Sequence, residues 1–416
     1  MDARRLNAST AVYFNGFNGV RFLAATSVAI HHIEEYKTLF GFTDTFIKTD
    51  EHPVVYQAGR LGVSLFFVLS GFLITYLLLA EKKSEGRINI RHFYIRRILR
   101  IWPLYFLITG LGFFVFPHIP MLQIPGISDF TFDDFWAKFV CFVLVIPNIA
   151  LMLYHEMPLC SHAWSIGVEE QFYLMWPWLI CSVRPRRTIA VLASIIVVLG
   201  AVFFWLRYGP GSTQPTAGTT QLMISDFLAH FRMGSMAIGG IAAYLVFKRH
   251  RVLTLFFNRW VQWAVYAVLL AMLSQGVRIP GLNYEGYALF FAYLLMNLAA
   301  NPNSILKLEN PLCNFMGKIS YGLYMFHPVA IVACLYVIRQ FIPYSFGFSV
   351  LLYGSAYGLT ILLAWLSYTY FEKPFLKFKD IFAPGAKPAA VSSSVPVLAE
   401  SSEPMSLQPA SVTVQA

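Results

Sequence analysis

The chain has 416 residues, of which 57% are hydrophobic and only 12% charged. A soluble domain carries roughly 25% charge, so this composition excludes an ordinary cytosolic enzyme, a disordered scaffold and a disulfide-stapled secreted domain. The 31 Lys and Arg against 21 Asp and Glu leave a formal charge of +10; in a membrane protein such an excess gathers in cytoplasmic loops rather than marking a nucleic-acid surface.

A helix needs about 20 apolar residues to cross a hydrocarbon core of roughly 30 Å. Ten stretches qualify, approximately 17–37, 59–81, 101–117, 166–183, 188–206, 224–247, 260–276, 284–300, 317–340 and 348–371. An eleventh, 136–153, is apolar but broken by Pro147 and Asn148. Charge decides its status. With the amino terminus cytoplasmic and ten crossings, 23 of the 31 basic residues face inward and 7 outward. An eleventh crossing would invert everything after it, against the positive-inside rule. The expected fold is therefore an all-α membrane protein of about ten transmembrane helices plus one re-entrant or interfacial helix on the outer side, with both termini cytoplasmic. Residues 1–382 form the membrane domain. Residues 383–416, rich in Ala, Ser and Pro, read as a disordered cytoplasmic tail. No cleavable signal peptide is expected. The five cysteines have no metal-ligand spacing; four pack in apolar runs, and Cys160 is expected to face outward, open to oxidation.

Ionisable groups inside a bilayer cost about 2.5–3.5 kcal/mol on insertion scales and are functional candidates by default. In the first span, Arg21 and His32 are eleven residues apart. Eleven steps of about 100° make three turns plus about 20°, so the two share a helix face roughly 16 Å apart along the axis. His31 points away, while Glu35, at i+3, can orient the His32 imidazole. In the second span Ser64, Ser70 and Gly71 read as small residues for close helix packing, and no Gly-x-Ser-x-Gly elbow supports a hydrolase serine. The segment RHFYIRRILRIWP, read as a loop at the cytoplasmic edge, carries Arg91, Arg96, Arg97 and Arg100. These either set topology and bind lipid phosphate or clamp a polyphosphate ligand. Glu169 and Glu170 fall at the outer end of a span and must be paired or wet. Asp226, His230 and Arg232 suggest an internal ion pair, and His327–Pro328 lies inside an apolar helix. No HExxH, Cys/His array, P-loop or dinucleotide fingerprint is present, so no metal site is expected.

Six blocks in order carry a resemblance: Arg21 and His32 separated by ten residues, GVSLFFVLSGFLI at 62–74, RRILRIWP at 96–103, WSIGVEEQFYLMWP at 164–177, ISYGLYMFHP at 319–328 and YFEKPF at 370–375. Together they resemble the acyltransferase 3 family of integral membrane acyltransferases. The resemblance implies O-acylation, usually O-acetylation, of an extracytoplasmic glycan such as surface polysaccharide, lipopolysaccharide or peptidoglycan. The donor it implies is cytoplasmic acetyl-CoA or another acyl-CoA, and the location a bacterial inner membrane. It further implies His32 as the catalytic histidine, supported by Arg21; Arg96, Arg97 and Arg100 as acyl-CoA binders; and Glu169 as a further functional acid. The tail, short and polar, is not expected to carry the SGNH hydrolase-like domain of some relatives, so the membrane domain is expected to act alone or with a separate partner. Two other readings stay open: a transporter or flippase of a glycan or lipid intermediate, and acylation of a small lipophilic acceptor such as a macrolide. The outer loops 38–58, 118–165 and 207–223 are expected to set acceptor specificity.

Overall fold

The computed structural model describes residues 12–42, 54–209 and 219–382. The expected tail, 383–416, and parts of the outer loops 38–58 and 207–223 lie outside these. Among the described residues the chain is all helical. In order the α-helices are α1 (Phe17–Leu39), α2 (Val54–Glu85), α3 (Ile90–Phe114), α4 (Phe135–Val143), α5 (Pro147–Leu153), α6 (Trp164–Ser182), α7 (Thr188–Tyr208), α8 (Thr219–Phe231), α9 (Met233–Phe247), α10 (Val252–Phe256), α11 (Arg259–Ser274), α12 (Asn283–Ala300), α13 (Pro311–Lys318), α14 (Ser320–Phe341), α15 (Phe346–Leu366) and α16 (Lys373–Ile381).

Among the described residues five helical segments are long and apolar enough to cross a bilayer: Gln57–Glu85, Ile90–His118, Pro185–Tyr208, Ser320–Phe341 and Phe346–Lys379. The other stretches expected to cross are shorter or more polar. Helix α1 has 23 residues but carries Arg21, Glu34, Glu35 and Lys37. It compensates part of that charge locally. Lys37 Nζ lies 2.9 Å from Glu34 Oε1, both side chains only 1% exposed, and Tyr353 Oη donates to the same carboxylate at 2.7 Å. This buried triad fastens the end of α1 to α15.

Two stretches depart from a simple helical crossing. The broken segment 136–153 forms α4 and α5, of 9 and 7 residues, separated by a turn with Val145 at φ 58°. Neither piece approaches the length a crossing requires. The stretch 224–247, expected as one span, breaks at Arg232, which sits at φ 42° between α8 and α9. The kink turns Arg232 away from Asp226, so the expected internal pair does not form. Its Nη1 donates instead to Arg60 O at 3.1 Å and Ser64 Oγ at 2.9 Å, and its guanidinium lies 3.6 Å from the Tyr284 ring centroid. Asp226 pairs with exposed Arg207 at 3.5 Å. Ser64, read as a packing residue, is thus a hydrogen-bond acceptor.

Helix α2 is the hub, packed on α1, α6, α9 and α12. Its crossing with α9 depends on two glycines. A Cβ on Gly71 would fall 2.0 Å from Met236 O, and one on Gly239 would fall 2.1 Å from Val68 O. Backbones this close exclude any side chain, the reason membrane helices place small residues at such crossings. The basic segment read as a loop is helical from Ile90, capped by the Asn89 side chain, which accepts from His92 N at 3.1 Å. Cys160 is not open to oxidation as expected: it is 1% exposed, with its Sγ 3.5 Å from Ile108 O.

Candidate active site

Three histidines from distant parts of the chain converge. His32 comes from α1, His327 from α14, and His162 from the short 3₁₀ turn Ser161–Ala163 that precedes α6. His327 Nε2 and His32 Nδ1 are 3.1 Å apart, and the His162 and His327 rings are centred 5.2 Å apart. His32 Nδ1 also lies 3.0 Å from Val28 O, one turn back. Glu35 Oε2 stands 3.7 Å from His32 Nε2, so the expected orienting acid is close but outside hydrogen-bond range. His327 is fully buried, whereas the His32 side chain keeps 18% of its exposure. Of these two rings, His32 is therefore the more accessible. His31 packs on α2 opposite Gly59, with its ring centred 4.9 Å from that of His32.

A second cluster lies toward the start of α1. Arg21 Nη1 donates to Asn18 Oδ1 at 3.0 Å. Arg97 and Arg100 of α3, with Glu169 and Tyr173 of α6, stand within electrostatic range of Arg21. The Arg97 guanidinium lies beside the Phe93 and Tyr173 rings, 5.6 and 5.7 Å from their centroids, and its buried Nε has no hydrogen-bond partner. Arg97 and Arg100 make no ion pair among the described residues. Arg96 differs from both: it donates to Glu81 Oε2 at 3.1 Å and to Phe382 O at 2.6 Å, which ties the start of α3 to α2 and the end of α16.

Glu169 does not stand at an outer mouth. It accepts a hydrogen bond from Ser70, midway along α2, and Tyr173 Oη donates to the same Ser70 Oγ at 3.3 Å. The sequence treated Ser70 as packing because a lone Ser-Gly in an apolar run carries no partner information. Glu170 Oε2 accepts from Trp102 Nε1 at 3.3 Å, while its buried Oε1 has no hydrogen-bond partner. One turn before Glu169, Ser165 Oγ meets Tyr324 Oη at 2.6 Å; that hydroxyl also reaches His162 O at 2.7 Å, and the Tyr324 ring is centred 5.8 Å from His327. Polar groups thus run from the guanidinium cluster, past Glu169, Ser165 and Tyr324, to the imidazoles.

Of the six residues singled out as site residues, Arg21, Arg97, Arg100 and Glu169 gather at one level. His32 stands at another, on the same face of α1 as Arg21, and Arg96 is engaged elsewhere. His162 and the role of His327 were missed. An imidazole inside an apolar helix was the available signal for His327; His162, in a polar turn, gave none. His31, His32 and Glu35 also bring potential ligand atoms within 4.8 Å of one another, although no metal motif is present in the sequence.

The acyltransferase-domain family profile matches residues 14–369. Among curated proteins, the chain is 26% identical over 386 residues to "Putative O-acetyltransferase SACOL0978" of Staphylococcus aureus strain COL, covering 88% of this chain and 58% of that protein. It is 24% identical over 396 residues to O-acetyltransferase OatA of S. aureus strain NCTC 8325 / PS 47, covering 88% and 57%. The chain therefore spans less than two thirds of the length of these relatives. No solved structure matches it. With the profile covering most of its length over a set of apolar helices and two buried clusters of ionisable side chains, the chain belongs to the acyltransferase 3 family.

Proposed function

We propose that the chain is a bacterial inner-membrane O-acetyltransferase. It takes an acetyl group from cytoplasmic acetyl-CoA and delivers it to a hydroxyl of an extracytoplasmic glycan. The membrane domain crosses about ten times with both termini cytoplasmic. The observation that carries this reading is the placement of two chemically different clusters on one face of α1, linked by a polar path: unpaired guanidinium groups at Arg97 and Arg100 beside Arg21, and imidazoles around His32.

The chemistry follows from that separation. Coenzyme A carries phosphates that hydrocarbon excludes, and Arg presents a rigid fork suited to them. Arg97 and Arg100 hold the phosphates at the inner side, and the thin pantetheine arm carries the thioester along the bundle toward His32. His32 takes the proton from the acceptor hydroxyl as its oxygen bonds to the thioester carbon; the carbon–sulfur bond then breaks and the proton passes to the CoA sulfur. General-base catalysis of this kind contributes about 10² to 10⁴ in rate. Arg21 supports the donor beside Arg97, and Glu169, held by Ser70, faces the same arginines. Incubation of the full-length protein in native membranes with [¹⁴C]acetyl-CoA tests the reading: CoA thiol is released and label enters the membrane-associated glycan. Intact acetyl-CoA, with label moving nowhere, overturns it.

A further inference from the structure

We propose that His327 is a positioning residue that sets the tautomer of His32, so that Nε2 of His32 is the nitrogen that meets the acceptor hydroxyl. This rests on the proposed role of His32 in acyl transfer.

The argument is one of donors and acceptors. Where two ring nitrogens face each other at 3.1 Å, one must carry a hydrogen and the other a lone pair. Symmetry leaves the choice open, but backbone carbonyls only accept. Val28 O, 3.0 Å from His32 Nδ1, requires the hydrogen on that nitrogen. Leu323 O, 3.3 Å from His327 Nδ1, draws the other ring's hydrogen to Nδ1. Pro328 strengthens this preference: it has no N–H, so the Tyr324 carbonyl loses its helical partner, and the His327 ring lies against that carbonyl as well. His327 Nε2 is then bare, and it accepts from His32 Nδ1–H, which is shared with Val28 O. The lone pair of His32 is left at Nε2, on the side where Glu35 Oε2 stands 3.7 Å away.

The reverse tautomer would set the lone pair of His32 Nδ1 against that of Val28 O. When Nε2 takes the hydroxyl proton, both nitrogens of the resulting imidazolium are donors, with His327 and Val28 O on one side and Glu35 on the other. A neutral imidazole suits the orienting position because His327 is fully buried, where a carboxylate would need compensation of its own.

The test measures CoA release from acetyl-CoA by the full-length protein in native membranes. In an enzyme whose orienting residue is replaced, the wrong tautomer costs about 10⁴ in kcat; we expect His327→Leu to lower kcat about 10²-fold or more while KM for acetyl-CoA changes less than about threefold. His327→Gln, whose carbonyl oxygen still accepts from Nδ1–H, should recover to within about tenfold of wild type. A Leu variant that keeps most of its kcat overturns the proposal, and so does a Gln variant no better than Leu. Should the Leu variant fail to fold, ¹⁵N-imidazole NMR of the wild-type protein decides: a protonated Nδ1 and bare Nε2 at His32 support the proposal, and the reverse overturns it. Undiminished turnover in His32→Ala would instead sink the parent reading.

Discussion

His32 and His327 stand 295 positions apart in the chain, yet their ring nitrogens meet at 3.1 Å. Neither helix alone makes this pair. Helix α1 supplies an imidazole accessible from one side, α14 a fully buried partner, and the contact between the two helices gives the pair one geometry.

The adjacent histidines should separate cleanly on mutation. His32→Ala is expected to lower acetyl transfer by about 10² to 10⁴, the usual contribution of a general base. His31 packs on α2, where a Cβ at Gly59 would fall 2.0 Å from the His31 Cβ. His31→Ala should therefore keep most activity and lose about 1 kcal/mol of stability, a typical cost for a buried substitution. Labelled-acetyl transfer and thermal unfolding on the same preparations check both. Equal loss of activity from the two variants would undo the face assignment.

Three arginines of α3, Arg96, Arg97 and Arg100, should fall into two groups. Arg97 and Arg100 have no ion-pair partner among the described residues, whereas Arg96 is engaged with Glu81 and Phe382 O. A hydrogen bond to a charged group is worth about 1.5–3 kcal/mol, so Arg97→Gln and Arg100→Gln should each raise KM for acetyl-CoA by about tenfold or more. Arg96→Gln should leave KM nearly unchanged and lower the melting temperature. An Arg96 variant that behaves like the other two would mean that Arg96 leaves Glu81 to hold the donor.

The crossing of α2 and α9 predicts a packing defect with no chemistry in it. In Gly71→Ala the new methyl would lie 2.0 Å from a backbone oxygen, which cannot rotate away. Overpacking of this kind costs about 1–3 kcal/mol. Thermal unfolding in detergent should show the loss. A variant as stable as wild type would mean the helices separate without penalty.

At the surface, Glu309 fastens the loop before α13 to the start of α1. It accepts from Gly16 N at 2.6 Å, from Tyr13 Oη at 2.7 Å and from Asn314 Nδ2 at 2.7 Å. The Gly16 N–H, followed by the Asn314 amide, holds this carboxyl below its ordinary value of 4.5. A depressed folded-state value means the stabilisation is present above the unfolded carboxyl value and is lost as pH falls through the folded one. Melting temperatures from neutral pH into the acid range should therefore show an acid-side loss that is smaller in Glu309→Gln. Identical acid limbs would remove the carboxylate from the explanation.

Much of the site was legible because helix periodicity is local. The same-face placement of Arg21 and His32 needs only the 100° step, and the short pieces of 136–153 follow from Pro147 and a charge count. The exclusive engagement of Arg96 was not legible, because Arg96 and Arg97 are chemically identical neighbours and differ only in which helix each faces. The break at Arg232 was hidden too. Its flanks are apolar, and the acceptors of its guanidinium, Arg60 O and Ser64 Oγ, lie some 170 residues earlier.

Composition and spacing by themselves determined that this chain is apolar and helical, that arginines gather in the short segment 91–100, and that His32 shares a helix face with Arg21. These properties arise from residues close in sequence, where one helical rise and one rotation fix the geometry. Only the tertiary structure decided that His32 meets His327 and His162, that Glu169 accepts from Ser70, and that Arg97 rather than Arg96 remains unpaired. Those facts depend on which helices become neighbours. At the α2–α9 crossing the close approach of backbones at Gly71 and Gly239 settles it, and hydrophobic periodicity, the same for every apolar helix, does not encode it.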